Sequence, residues 1–318
     1  MYKLDQTQTP LFDALMEYVN NKTIPFHVPG HKKGMGMDNK FKNFVGNNVL
    51  SIDVTVFKLV DSLHHPEGPI KKAQELAADA YGADRAFFSI NGTSGAIQAM
   101  ILSVVSHGDK IIIPRNVHKS VTAGIILSGA VPVYIQPEVD RKVGLALGVT
   151  PETVEEALKN NPDAKAVLII NPTYYGVAAD IKRIADIVHS YDIPLIVDEA
   201  HGAHLGFNNR LPMSAISAGA DMSGQNTHKI GSLTQSSLLQ VMEKRVDVNK
   251  VQQVMNLLQT TSPSYILMAS LDVARMQIAT KGKELLDRAI DLAEYARREI
   301  NKIPGLYCFG VLMSTIMS

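Results

Sequence analysis

Short apolar runs of strand length alternate along this chain with segments whose apolar residues recur at helical spacing, and that alternation leaves few folds open. Residues 86–90, 110–113, 131–135, 166–170, 195–197 and 237–241 are mostly near-continuous in Val, Ile and Leu, as for strands covered on both faces. Between and beyond them, residues 69–81, 95–105, 150–159, 180–190 and 281–302 carry helical patterns; in 180–190, Ile181, Ile184, Ala185, Ile187 and Val188 form one stripe. Such alternation predicts a mainly parallel sheet with helices on both sides. Ligands then bind beyond the carboxyl ends of the strands, which places the chemistry in the loops that follow them. With 318 residues, 46% of them hydrophobic, the chain can bury a large core and should hold one big domain or one and a half.

Charge and cysteine usage narrow the partners. Lys plus Arg and Asp plus Glu are both 31, and no long basic run interrupts the pattern, which argues against nucleic acid or an anionic membrane and favours a small molecule. The single cysteine, Cys308, excludes an internal disulfide and a Cys-based zinc site and suits a reducing compartment. Residues 1–20 lack the apolar core of a signal peptide. The longest weakly polar run, 123–135, contains Ser128, Gly129 and Pro132 and falls short of the ~18 apolar residues of a membrane span. A soluble cytoplasmic protein is expected.

The unusual residues gather in the loops after the strands. Asn91-Gly92-Thr93-Ser94-Gly95 offers a phosphate glycines, hydroxyls and a helix N-terminus, although an ordinary N-cap at Thr93 or Ser94 accounts for the same residues. In Arg115-Asn116-Val117-His118-Lys119 an imidazole can lie flat against an aromatic ring, though a lone histidine there is more often structural. Asp198 lies in Val197-Asp198-Glu199-Ala200-His201, and Lys229 follows 31 positions later in Gln225-Asn226-Thr227-His228-Lys229. A buried aspartate at a strand end and a later lysine in a small polar loop are what pyridoxal phosphate needs. The aspartate holds the pyridine nitrogen protonated, and the lysine carries the aldehyde as a Schiff base. His118-Lys119 and His228-Lys229 compete for that role. Lys119 leads straight into a helix-like run, 120–127, whereas Lys229 sits among Thr227, Gly231, Ser232 and Thr234, so Lys229 is expected to carry the cofactor. The ordinary fate of either lysine is a solvated surface charge.

Two rivals share these residues. Asp198-Glu199-Ala200-His201 also spells the metal-binding box of one helicase class, but the phosphate loop that class requires is absent: Gly282-Lys283 is followed by Glu284. A zinc site built from Asp198, Glu199, His201, His204, His64 and His65 lacks a helical His-x3-His pair, and no metal is expected.

Seven ordered motifs then resemble one family. They are Pro25-Phe26-His27-Val28-Pro29-Gly30-His31-Lys32-Lys33-Gly34, Leu63-His64-His65-Pro66-Glu67-Gly68-Pro69-Ile70, Asn91-Gly92-Thr93-Ser94, Asn116-Val117-His118-Lys119-Ser120, Asn171-Pro172-Thr173-Tyr174-Tyr175-Gly176, Asp198-Glu199-Ala200-His201-Gly202 and Thr227-His228-Lys229. Together they are similar to the ornithine/lysine/arginine decarboxylases of the aspartate-aminotransferase fold, from about Leu11 to Gly310. The resemblance implies an α/β, pyridoxal phosphate-dependent transferase-like (fold type I) large domain with a mainly parallel seven-stranded sheet flanked by helices. Residues 1–50 would form an N-terminal arm and helix contacting a partner subunit, 51–290 the cofactor-binding major domain, and 291–318 the start of a C-terminal small domain expected to be largely missing. The implied reaction is pyridoxal 5'-phosphate-dependent decarboxylation of a basic amino acid, arginine first and lysine or ornithine next, to an amine and carbon dioxide. It implies polyamine biosynthesis and a homodimer or larger homo-oligomer. An aminotransferase or other lyase of the same fold, and a non-catalytic cofactor-binding remnant, stay open.

Residue by residue, the resemblance gives Lys229 the Schiff base, Asp198 the ring nitrogen and His118 the stacking contact, and places His201 near the phenolic oxygen. Thr93 and Ser94, with Gly92, Asn226 and His228 beside them, would hold the phosphate, and Thr260 would reach the phosphate of the neighbouring subunit. Lys229 or His228 would return the proton after carbon dioxide leaves, and the 25–34 segment would cross to the partner. Asn226 stands where the family usually has a serine, and Val56-Phe57-Lys58-Leu59-Val60-Asp61 is apolar and basic where several members carry acidic residues. Residues 311–318 do not fit the family, and without a small domain the chain is expected to bind cofactor but turn over very slowly.

Overall fold

Seven strands join in one sheet in the computed structural model, which describes residues 2–141 and 143–309. Across the sheet the order is β1 (Arg85–Ser89), β9 (Ser237–Val241), β8 (Met222–Gln225), β7 (Leu195–Glu199), β6 (Ala166–Ile170), β2 (Lys110–Pro114) and β3 (Val131–Ile135). Two short strands, β4 (Val139–Asp140) and β5 (Leu145–Ala146), pair separately. The five strands from β8 to β3 are parallel, and β9 is antiparallel to both β8 and β1. The reversal follows from chain length, because residues 226–236 between β8 and β9 are too few for a crossover helix. This is the expected mainly parallel α/β sheet.

Strand β8 has no counterpart among the runs read as strands. Met222-Ser223-Gly224-Gln225 contains no β-branched residue, yet all four are buried. Its polar side chains are satisfied inside the protein, since Ser223 Oγ and Gln225 Nε2 both donate to Glu199.

The helices α1 (Pro10–Asn20), α2 (Asn39–Val45) and α3 (Asn47–Ile52) precede the sheet. They are followed by α4 (Pro69–Tyr81), α5 (Gly92–Val104), α6 (Lys119–Ser128), α7 (Pro151–Asn160), α8 (Ile181–His189), α9 (Val248–Leu258) and α10 (Tyr265–Ile300). Strand β2 shows how the sheet divides the core. Ile111 and Ile113 pack with Ile97 and Met100 of α5 and Val251 of α9, while Ile112 joins Val154 of α7 and Ile184 of α8. Both faces are apolar because both are covered. Truncating any one of these isoleucines to alanine costs about 2–5 kcal/mol.

A third apolar cluster, from α1, α4 and α10, closes the β1 end of the sheet around Phe88 and Leu238. Helix α10 begins well before position 281, where the helical pattern was read, and continues through position 290 without a break. Its first half hides two charges that mask the apolar stripe: Asp272 and Arg275 are buried and paired at 2.8 Å. They pin the N-terminus. Asp272 Oδ2 accepts the Leu11 N–H at 2.9 Å, and Arg275 Nη1 donates to Gln6 O at 2.8 Å. Among the described residues, no helix is long and apolar enough to cross a membrane. Residues 311–318, read above as departing from the family, lie outside the described residues.

Candidate active site

One cavity of about 820 Å³ opens at the carboxyl ends of β6, β7 and β8 and the start of α5. It is walled by Gly92, Thr93, Ser94, His118, Asp198, His201, Asn226, His228 and Lys229. Thr260 is exposed, lies outside this wall, and uses its Oγ1 to accept the Ser262 N–H at 3.1 Å. Lys119, the first residue of α6, is also exposed and outside the wall.

The phosphate-like end is set by α5. The helix starts at Gly92 with Asn91 as its N-cap and no side-chain cap bond, so neither Thr93 nor Ser94 is the cap. Gly92, at φ +64°, supplies the left-handed turn that β1 needs to enter the helix, and its N–H donates to Gln235 O at 2.8 Å. Helical geometry leaves the N–H groups of Thr93 and Ser94 without intrahelical partners at the positive end of the dipole. The Thr93 hydroxyl is turned away to Ser237 Oγ, 3.0 Å distant. Thr93 therefore offers its backbone.

Strand β7 delivers Asp198 to the cavity, 3% exposed, with Oδ1 accepting the Ala200 N–H at 3.1 Å. Burial raises its proton affinity above the ordinary carboxylate range; that bond and the charges of His118 and Lys229 oppose the rise. Lys229 is held in a 3-10 turn, Thr227–Lys229, rather than in a flexible loop. The Thr227 hydroxyl fastens the turn by donating to Ser236 O at 3.0 Å. Lys229 Nζ donates to His201 Nε2 at 2.8 Å. Burial lowers the proton affinity of this amine and Asp198 opposes the effect, while burial and then the charge of Lys229 lower that of His201.

His118 caps α6: its Nδ1 accepts the Ser120 N–H at 3.2 Å and lies 2.8 Å from Ser120 Oγ, which fixes the ring plane. Two polar atoms in the wall residues are buried without a hydrogen-bond partner, Asn226 Oδ1 and His228 Nδ1. Orphaned polar atoms beside a helix-start N–H pair, a carboxylate and an amine fit a phosphate-bearing aldehyde with a basic ring nitrogen.

Reasoning from the sequence missed some of the wall. Thr173, Tyr174 and Tyr175 follow β6, and Tyr174 stands edge-on to His201 at 5.5 Å between ring centroids. The strand-end rule could have found them. Glu199 was read as part of a motif and as a ligand of the rival zinc site, with no role in placing the cofactor. It is fully buried behind Asp198, and burial pushes its carboxyl up to about 7 against three hydrogen-bond donors. Among the described residues no group of three or more His, Cys, Asp or Glu side chains could hold a metal ion.

A family model described as "Orn/Lys/Arg decarboxylase, major domain" matches residues 9–318. The chain belongs to this family. The match continues past Gly310, where the resemblance in the motifs was read to end. The chain is 56% identical over 311 residues to an arginine decarboxylase of Bacillus anthracis, covering 98% of this chain and 63% of that one. An arginine decarboxylase of Bacillus subtilis is 51% identical, with 96% and 63% covered. The chain thus spans 63% of the length of each of these two relatives. The solved lysine decarboxylase LdcF of Francisella novicida superposes with a TM-score of 0.83 at 27% identity, covering 92% of this chain and 44% of that one. The decarboxylase major domain therefore has the expected pyridoxal phosphate-dependent transferase-like fold, of type I.

Proposed function

We propose that this chain holds pyridoxal 5'-phosphate on Lys229 and serves the decarboxylation of a basic amino acid, arginine first and lysine or ornithine next. One observation carries the reading: an amine, a buried carboxylate and unpaired helix-start N–H groups meet at a single cavity. The names of the arginine decarboxylases from two Bacillus species support the order of substrates. The cofactor, when bound, supplies an electron-accepting ring for the bond between the substrate α-carbon and its carboxylate.

The chain's own residues do the rest. Lys229, eased toward its neutral form by partial burial, would hold the cofactor through its aldehyde, and His201 Nε2 accepts a hydrogen bond from the same amine. Asp198 would pair with the ring nitrogen and hold a proton there, a pairing that would relieve the cost of a buried carboxylate. His118 offers a fixed flat surface, its Nδ1 tied to Ser120. Thr93 and Ser94 would hold phosphate oxygens through their backbone N–H groups, and a half-turn of the Asn226 amide would offer its NH2 to the same group. His228 stands in the cavity wall, held toward neutrality chiefly by burial, and would share the return of the proton with Lys229.

The working unit is a homodimer with an isologous contact. Thr260 is exposed outside the cavity of its own chain, and Phe26 in the 25–34 segment is 91% exposed, as suits groups that serve a neighbour. Residues 1–50 form the arm and helix of this contact, 51–290 the cofactor domain, and 291 onward leads toward a small domain; the setting is cytoplasmic polyamine synthesis. Reducing the chain with borohydride after addition of pyridoxal phosphate should label Lys229. Label on Lys119 reverses the assignment, and absence of label ends the reading. Carbon dioxide release from arginine, lysine and ornithine ranks the substrates. Amino transfer without it selects an aminotransferase, and bound cofactor without either product selects a non-catalytic role.

A further inference from the structure

Strand β7 ends in two buried carboxylates that the pleat sends to opposite faces of the sheet, Asp198 to the cavity and Glu199 away from it. Glu199 is the hub of a polar chain. Its Oε1 accepts the Ala215 N–H at 2.7 Å, and its Oε2 accepts Ser223 Oγ and Gln225 Nε2, each at 2.7 Å. Gln225 lies directly across from Glu199 in the β7–β8 register and is the last residue of β8, separated only by Asn226 from the turn that carries Lys229. Its Oε1 accepts Gln240 Nε2 at 2.9 Å, and its backbone O accepts Ser237 Oγ at 2.6 Å. Ser237 Oγ in turn meets Thr93 Oγ1 at the start of α5. The turn after β7 is pressed against the same side chain, because a Cβ on Gly202 would come within 2.7 Å of Glu199 Cγ.

We propose that Glu199 is the positioning residue of the cavity, clamping the ends of β7 and β8 so that Asp198, Lys229 and the start of α5 keep their mutual placement. The inference rests on the cofactor reading above and assigns Glu199 no contact with cofactor or substrate. In the present amide orientations Ala215 N–H and Gln225 Nε2 both donate to Glu199, so a carboxylate oxygen answers each of them. An amide at this position answers both only if the Gln225 and Gln240 side chains turn over together, which leaves the Gln240 NH2 buried without an acceptor where its Oε1 now has no partner. An unmade bond in a buried network costs more than the bond contributes when made.

The test separates placement from folding. Pyridoxal phosphate is titrated into the 318-residue chain and its variants, followed by the visible absorption of the bound cofactor, and each melting temperature is measured without cofactor. Glu199→Gln should weaken cofactor binding by roughly tenfold in the folded protein, the scale of one or two buried hydrogen bonds. Glu199→Gln combined with Gln225→Glu again sets a donor against an acceptor across the two strands. It should bring affinity back to within about threefold of the starting chain. Ser223→Ala, which removes one bond and little volume, should cost about fivefold, and decides together with the exchange variant if Glu199→Gln does not fold. Affinity within twofold of the unaltered chain in Glu199→Gln, an exchange variant that binds no better than Glu199→Gln, or an unaffected Ser223→Ala would overturn the proposal. An unaltered chain that takes up no cofactor would instead remove the reading on which the proposal rests.

Discussion

Two buried aspartates at opposite ends of neighbouring strands show how similar burial can serve opposite purposes. Asp221, just before β8, is 2% exposed, and its carboxylate accepts His189 Nε2 at 2.8 Å, Leu195 N at 2.9 Å and Arg245 Nη1 at 3.3 Å. Asp198, at the far end of β7, is 3% exposed and accepts one backbone N–H, from Ala200. The charge of Asp221 is answered by a guanidinium within the protein. Asp198 faces a cavity, and burial raises its proton affinity. A satisfied buried carboxylate holds a structure together, whereas an under-satisfied one at a cavity marks where a cationic group can be bound.

The contrast can be broken most completely at Lys229. Lys229→Ala should abolish the visible absorption of the bound cofactor, and Lys119→Ala should leave it intact; the reverse result would move the chemistry off the β8 turn. At the aspartates the two ends should separate cleanly. Asp198→Asn should retain part of the cofactor affinity through Thr93, Ser94 and the loop amides, lose on the order of 10³-fold in any decarboxylation rate, and melt no lower than the parent. Asp221→Asn should do the opposite, losing about 3 kcal/mol of stability by stranding Arg245 while the folded fraction binds cofactor normally. Urea unfolding and cofactor titration on both variants check this, and equal behaviour would erase the distinction.

Glu199 sharpens the comparison through pH. Its carboxyl is pushed up from the ordinary 4.5 to about 7 by burial, so between those values the folded chain binds more protons at this site than the unfolded chain. Stability from this group is therefore full below 4.5 and is lost as pH rises through 7, by roughly 3 kcal/mol in all. Glu199→Gln should flatten that limb of the stability curve relative to the parent, and parallel curves would show that the site does not titrate there. The smallest effect is expected at Thr260. Thr260→Ala should change stability by less than about 0.5 kcal/mol. In a mixed dimer it should weaken cofactor binding only in the site of the partner subunit, and a monomer with full cofactor affinity would refute the shared site.

The layer architecture was legible because it depends on local pattern. The apolar runs 110–113 and 166–170 read as doubly covered strands and are buried in β2 and β6. His118 and Asp198 could be nominated from their places just after such runs, since a parallel sheet gathers its loops at one end whatever the packing details. Lys229 was legible only from its polar loop 31 positions after Asp198, because the strand before it carries no apolar run. The first half of α10 was hidden for the opposite reason: Asp272 and Arg275 look like surface charges in the sequence and are a buried pair in the fold.

The sequence by itself determined a doubly covered α/β sheet, the family, and which residue types stand at the strand ends. Tertiary structure alone decided that Met222-Ser223-Gly224-Gln225 is a buried strand, that Lys229 sits in a 3-10 turn donating to His201, and that Glu199 joins β7 to β8. The reason is physical. Hydrophobic periodicity is written into neighbouring residues, but Ser223 and Gln225 are satisfied by a carboxylate 24 and 26 positions away, and such a partner exists only once the chain has folded.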